Sequence, residues 1–327
     1  MASIRVPLSL VDRSRTRDGE APGRALRDSV ERAVRAEELR FTRVWLAEHH
    51  GVPGIATGAP AVLMAAVAAA TSRVRVGSAG VMIPNHRPLV VSEQAKALQA
   101  LFPGRIDLGI GRSLGFTAPV RDALGATEYD LDDMERDLRA LRDFLDDAGP
   151  VRAMPTGEPV PMFVLATGSG MAVAARLGLP VIVGGPILRG DLAPLEDYRR
   201  DFVPSVEHPE PAVLISVDVT VGPTAEQARD WLLPEAWAMV ASRTVGAFPP
   251  LEDVTPDSLA TKRLTERQER WVRRHLDNAV WGTADEVADE LNDLIARTGA
   301  TEVLAYSSTF DRAAQAWSDE ALAGLMT

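Results

Sequence analysis

The sequence predicts an α/β chain folded as a closed (β/α)8 barrel, a TIM barrel with insertions, and three observations predict it. Apolar runs of strand length alternate with segments of helical period, the pattern of repeated βα units on a parallel sheet. Eight such runs occur, at 4–11, 42–47, 74–81, 106–110, 162–166, 180–183, 213–221 and 303–307. No composition break divides residues 1–327, so the chain reads as a single domain, and barrels of this kind run to ~250 residues or more. A doubly wound open sheet is the alternative that the same alternation allows.

The elements follow in order. Residues 25–39 place Leu26, Val30, Ala33, Val34 and Glu37 at helical spacing. Pro60 opens the next helix at a position where its missing N–H costs nothing. Helical patterns recur at 88–101, at 130–145 through Leu131, Met134, Leu138, Leu141 and Leu145, and at 171–177. Beyond residue 184 the pattern loosens. Thr224, with Gln227 three residues on, starts a helix over 224–232, and Thr283 and Gly299 bracket another over 283–298. A last helix covers 311–325. The stretch 243–264 holds Pro249, Pro250 and Pro256 among polar residues and reads as an ordered loop or a mobile lid.

Composition excludes several functions. Zero cysteines rule out disulfides, thiolate metal sites and a cysteine nucleophile. With 35 basic and 46 acidic residues the net charge is −11, which disfavours nucleic acid and anionic membranes as partners. The N-terminus has no signal-peptide stretch, and the most apolar window, 59–70, is shorter than the ~20 residues that span a bilayer, so a cytoplasmic protein is expected.

In a barrel, chemistry belongs at the C-terminal ends of the strands. The second strand runs into Ala47-Glu48-His49-His50. Neighbouring residues on a strand face opposite ways and no third ligand follows at metal spacing, so no metal is expected, and one histidine is a candidate for hydrogen bonding or proton transfer. The third strand continues as Gly77-Ser78-Ala79-Gly80, where small residues let a flat ligand lie against the backbone. The fourth ends in Gly109-Ile110-Gly111-Arg112, a weak dinucleotide signal because no acid follows on a second strand, and Arg112 is better placed to anchor a phosphate or carboxylate. The fifth leads to Thr167-Gly168-Ser169-Gly170 ahead of a helix, either a phosphate seat or an ordinary capped turn.

Three ordered blocks carry a resemblance: Arg43 through His50, Gly77 through His86, and Pro103 through Arg112. Together the chain resembles the bacterial luciferase-like flavin monooxygenases, densely from residue 4 to about 183, again from 281 to 325, and loosely between. The resemblance implies a two-component monooxygenase that takes reduced FMN from a separate reductase. O2 adds to that flavin to give a C4a-(hydro)peroxide, which oxygenates a small apolar or aromatic molecule. By position His49 matches the histidine beside the flavin, Ala79-Gly80 the often-cis pair under its ring, and Arg112 the arginine that reaches the phosphate. Relatives also pair as homodimers through the side of the barrel bearing 60–71, an alanine-rich helix here.

Departures from the family pattern lie after the fifth strand, where only Thr167 keeps a hydroxyl in register, with Ser169 as a substitute; loosely held FMN is the expectation. Gly111 replaces a reactive cysteine of the luciferase catalytic subunit, and nothing points to light emission. An arginine-rich, lysine-poor chain of this family fits a tailoring enzyme of secondary metabolism. The alternatives are a deazaflavin (F420)-dependent oxidoreductase of the same fold and a flavin-binding protein without turnover.

Overall fold

The computed structural model describes residues 3–326. Its strands are β1 (Leu8–Asp12), β2 (Arg43–Leu46), β3 (Arg75–Ser78), β4 (Val81–Met82), β5 (Ile106–Gly111), β6 (Met162–Leu165), β7 (Val181–Gly184), β8 (Val213–Val221), β9 (Val280–Gly282) and β10 (Glu302–Tyr306). The helices are α1 (Gly23–Glu38), α2 (Pro60–Ala70), α3 (Pro88–Leu101), α4 (Ala118–Leu124), α5 (Leu131–Leu145), α6 (Gly170–Arg176), α7 (Ala193–Arg200), α8 (Ala225–Val245), α9 (Pro256–Thr261), α10 (Glu266–Asn278), α11 (Ala284–Thr298) and α12 (Arg312–Ala323).

All pairings between strands are parallel, and the path β1-β2-β3-β5-β6-β7-β8 closes because β10 pairs with both β8 and β1. The fold is the closed eight-stranded barrel expected from the sequence. The third run, expected as one strand over 74–81, is split. β3 pairs with β2, and β4 resumes beside β5 after the break at Ala79-Gly80.

Alternation along each strand sorts the core into two shells. Leu8, Leu10, Val44 and Leu46 face the helices, while Val11, Trp45, Phe163, Ile182, Leu214 and Leu304 fill the barrel axis. Trp45 meets Phe163 edge to face at 5.2 Å between ring centroids, and a Cβ at Gly77 would lie 2.3 Å from the Trp45 ring. Below this layer an ionic floor closes the N-terminal end. Asp107 pairs with Arg43 at 3.0 Å and Arg75 at 2.6 Å, and Arg43 also holds Glu302. With the axis filled and the floor closed, open space is left at the C-terminal mouth.

The structure corrects the second half. α8 does not stop at 232 but continues through the internal Pro234 to Val245, because Leu232, Leu233, Ala236 and Val240 pack on Val272 and Leu276 of α10. The stretch 243–264 is not a free loop. Pro256 begins α9 at its first turn, inside a Thr255/Ser258 capping box. The intervening residues are tied down: Leu251 N–H donates to Thr16 O at 2.9 Å and Gly54 N–H to Phe248 O at 2.8 Å. Among the described residues no helix is long and apolar enough to cross a membrane.

Candidate active site

A cavity of about 590 Å³ opens at the C-terminal mouth, within the ~300–1,000 Å³ of small-molecule sites. Every barrel strand contributes to it, from Val11 through Glu48, His49, Ala79, Gly80, Gly111, Arg112, Leu165, Thr167, Ile182, Gly184 and Ser216 to Leu304.

His49 follows the end of β2, with its backbone N–H fixed on Thr57 O at 2.8 Å. Burial, reinforced by the Arg13 guanidinium, lowers its imidazole to about 4. At neutral pH the ring is therefore uncharged and presents one donor and one acceptor nitrogen.

Its neighbour Glu48 is buried at 2% exposure and organises a trio. Glu48 Oε1 accepts from His50 Nε2 at 2.5 Å and His86 Nε2 at 2.7 Å, while Oε2 accepts the Met82 N–H at 2.9 Å. Burial alone would raise this carboxyl, but the two imidazoles and the Met82 N–H outweigh it and hold the group at about 2. An ionised carboxylate only accepts, so both Nε2 atoms carry hydrogens. Spacing along the chain left Glu48 and His50 without a third partner. His86 supplies it from the 3-10 turn after β4, and the ligand atoms lie within 4.8 Å of one another, close enough for a metal ion. The histidine in the Pro84-Asn85-His86 block was the signal available in the sequence.

The Ala79–Gly80 peptide is cis, and Ala79 N–H donates to Leu46 O at 2.7 Å. A Cβ on Gly80 would lie 2.8 Å from Leu165 Cδ1 and 2.9 Å from Gly109 O, whereas one on Gly111 would meet nothing nearer than Val81 O at 3.9 Å. The backbone there forms a flat wall with room in front of it. Arg112 stands exposed at the rim with no hydrogen-bond or ion-pair partner among the described residues. Arg176 and Arg189, the first two cations after β6, are engaged by Glu135 and Glu290.

Of Thr167, Gly168 and Ser169 only Thr167 lines the cavity. Gly168, at φ 64°, turns the chain into α6, and Ser169 sits at the helix start exposed and making no cap hydrogen bond. The expected grouping of Thr167, Gly168 and Ser169 around one ligand is thus only partly assembled.

A family model described as luciferase-like monooxygenase matches residues 6–302. The chain belongs to the luciferase-like monooxygenase family. One relative, named luciferase-like monooxygenase, from Escherichia coli (strain K12), is 31% identical over 98% of this chain and 97% of its own. The uncharacterised protein YvbT of Bacillus subtilis (strain 168) is 33% identical over 97% of this chain and 95% of its own. The crystal structure of apo-MsnO8 superposes with a TM-score of 0.84 at 32% identity, covering 98% of both chains. In this luciferase-like monooxygenase the cavity at the barrel mouth, lined by His49, Ala79, Gly80 and Arg112 among others, is the candidate active site.

Proposed function

We propose that this luciferase-like monooxygenase is the oxygenase of a two-component system, taking reduced FMN from a separate reductase and inserting one atom of O2 into a small apolar or aromatic molecule. The observation that carries the reading is the pairing, on one cavity, of an uncharged His49 with an unpaired Arg112. One free cation suits one phosphate, as in FMN, better than the acidic tail of F420, which needs several. The flat wall of Ala79-Gly80 and Gly111 would seat the isoalloxazine ring, and Arg112 with Thr167 would hold the phosphate. Bound reduced FMN supplies the two electrons that let O2 end as one oxygen in the product and one in water.

The chain's own residues do the rest. His49 offers its neutral ring as acceptor and donor beside the cavity, and Glu48 keeps that strand end in place by binding His50, His86 and the Met82 N–H. α8 and α10, whose Glu235 and His275 meet Arg13 and Asp218, would shield that end of the barrel from water, which would otherwise intercept the reaction. Homodimerisation through α2 belongs to the same proposal.

Stopped-flow absorbance after mixing protein and reduced FMN with oxygenated buffer tests it. A spectral phase that outlives the reoxidation of free reduced FMN, and shortens in His49→Ala, is expected. Reoxidation at the free-solution rate overturns the oxygenase reading.

A further inference from the structure

A buried polar cluster lies just beyond the cavity wall on β8 and β10, and the proposed flavin chemistry does not use it. Ser216 and Leu304 line the cavity and pair across β8 and β10. Two residues on, at the paired position on the same face of both strands, stand Asp218 and Tyr306. Asp218 is 3% exposed, and neither of its carboxylate oxygens has a hydrogen-bond partner. Facing it is His275 of α10, whose Nε2 lies 3.4 Å from Asp218 Oδ2 and is itself without a hydrogen bond.

The neighbouring cations are committed elsewhere. Arg13 stacks over the Tyr306 ring at 4.8 Å and pairs with Glu235 at 3.0 Å and Ser308 at 2.9 Å, while Arg15 holds the other Glu235 oxygen at 2.9 Å. Buried carboxylates are ordinarily saturated with donors, whereas Asp218 has only the His275 ring at ion-pair distance. A carboxylate and an imidazole thus lie side by side without a hydrogen bond, one from the barrel and one from the inserted helices.

We propose that Asp218 and His275 form the recognition subsite for a hydroxyl group on the organic substrate. A hydroxyl donates one hydrogen bond and accepts others, so it can donate to Asp218 and accept from His275 at once. An ammonium cannot accept. The substrate class is therefore a phenol or alcohol with an apolar body, the hydroxyl held under α10 and the body lying along Ser216 and Leu304 toward the flavin wall. Asp218 and His275 are specificity-determining residues in this assignment. The inference rests on the proposed function only in placing the organic substrate at this cavity.

The experiment is isothermal titration of the full chain, without flavin, with matched pairs of probes: phenol and benzene, naphthol and naphthalene, phenylphenol and biphenyl. At least one hydroxylated member is expected to bind about tenfold tighter than its hydrocarbon, the worth of one hydrogen bond to a charged group. Asp218→Leu and His275→Leu are each expected to abolish that preference while leaving the hydrocarbon's affinity in place. His275→Leu carries the test if Asp218→Leu does not fold. The absence of a preference in every wild-type pair, or its survival in the variants, overturns the proposal. Because no flavin is present, this result is independent of the stopped-flow trace, which judges the oxygenase reading separately.

Discussion

His86 donates its Nε2–H to Glu48 Oε1 across 38 residues of chain, at 2.7 Å, and so joins the turn after β4 to the end of β2. The same carboxylate holds the Met82 N–H and His50, so one buried charge fixes three separate backbone positions around the cavity. Glu48→Gln replaces that charge with an amide whose NH2 cannot accept from Met82. It is expected to destabilise the chain by about 2–3 kcal/mol, the value of charge-assisted bonds plus a stranded donor. His86→Ala removes one bond and is expected to cost about half as much. Urea unfolding reads both as a lower midpoint at unchanged slope. A wild-type midpoint in Glu48→Gln would show that the trio does not hold the structure together.

His49 gives a pH dependence with a definite sign. Its folded value, about 4, lies below the ordinary imidazole value of 6.5, so the unfolded chain binds a proton in that interval that the folded chain refuses. Stability contributed by His49 is therefore fully present above pH 6.5 and is lost as pH falls toward 4. His49→Gln is expected to flatten that part of the pH–stability curve measured by thermal unfolding. In turnover, wild type is expected to show no step from this residue between about pH 5 and 8. A rate titrating near the ordinary imidazole value and vanishing in His49→Gln would contradict a neutral, buried ring.

Arg112 separates phosphate recognition from ring recognition. Arg112→Ala is expected to weaken reduced FMN by about tenfold or more, corresponding to ~1.5–3 kcal/mol for a hydrogen bond to a charged group. Reduced riboflavin, which lacks the phosphate, is expected to bind wild type and variant alike. Anaerobic titration of both flavins decides it. An equal loss for both would place Arg112 against the ring or the fold instead.

Much of this was legible in the residues, for reasons that differ by element. The eight barrel strands are short apolar runs buried on both sides, and such runs stand out whatever surrounds them. α11 was readable because its ends are chemically marked, by the Thr283/Glu286 capping box and by Gly299 at φ 58°. α10 carries an equally good box, Thr265 with Gln268, but its polar length and the prolines before it hid the helix. α8 reads from the sequence only to 232, because the apolar stripe that carries it on past Pro234 meets α10 and only makes sense with that partner present. At the site, His49 and Arg112 could be placed from strand ends alone, whereas Glu48–His86 and Asp218–His275 depend on contacts between segments far apart in the chain. Arg40, just past the end of α1, takes the left-handed conformation that glycine favours, at φ 67°.

The face expected to pair two copies of the chain has an exposed apolar surface. Val62 on α2 is 71% exposed, and beside it a groove of about 600 Å³ runs between α1 and α2, lined by Leu26, Val30, Ala59, Leu63 and Ala66. Apolar surface of this kind on a soluble protein marks a contact site more often than a free face. The alanines of α2 keep the helix surface low, so a second helix can approach closely. Val62→Asp sets a charge in the middle of that face without touching the barrel core. The wild type is expected to sediment as a dimer at micromolar concentration and the variant as a monomer with an unchanged circular dichroism spectrum. A monomeric wild type would remove the dimer from the proposal, and a dimeric Val62→Asp would move the interface away from α2.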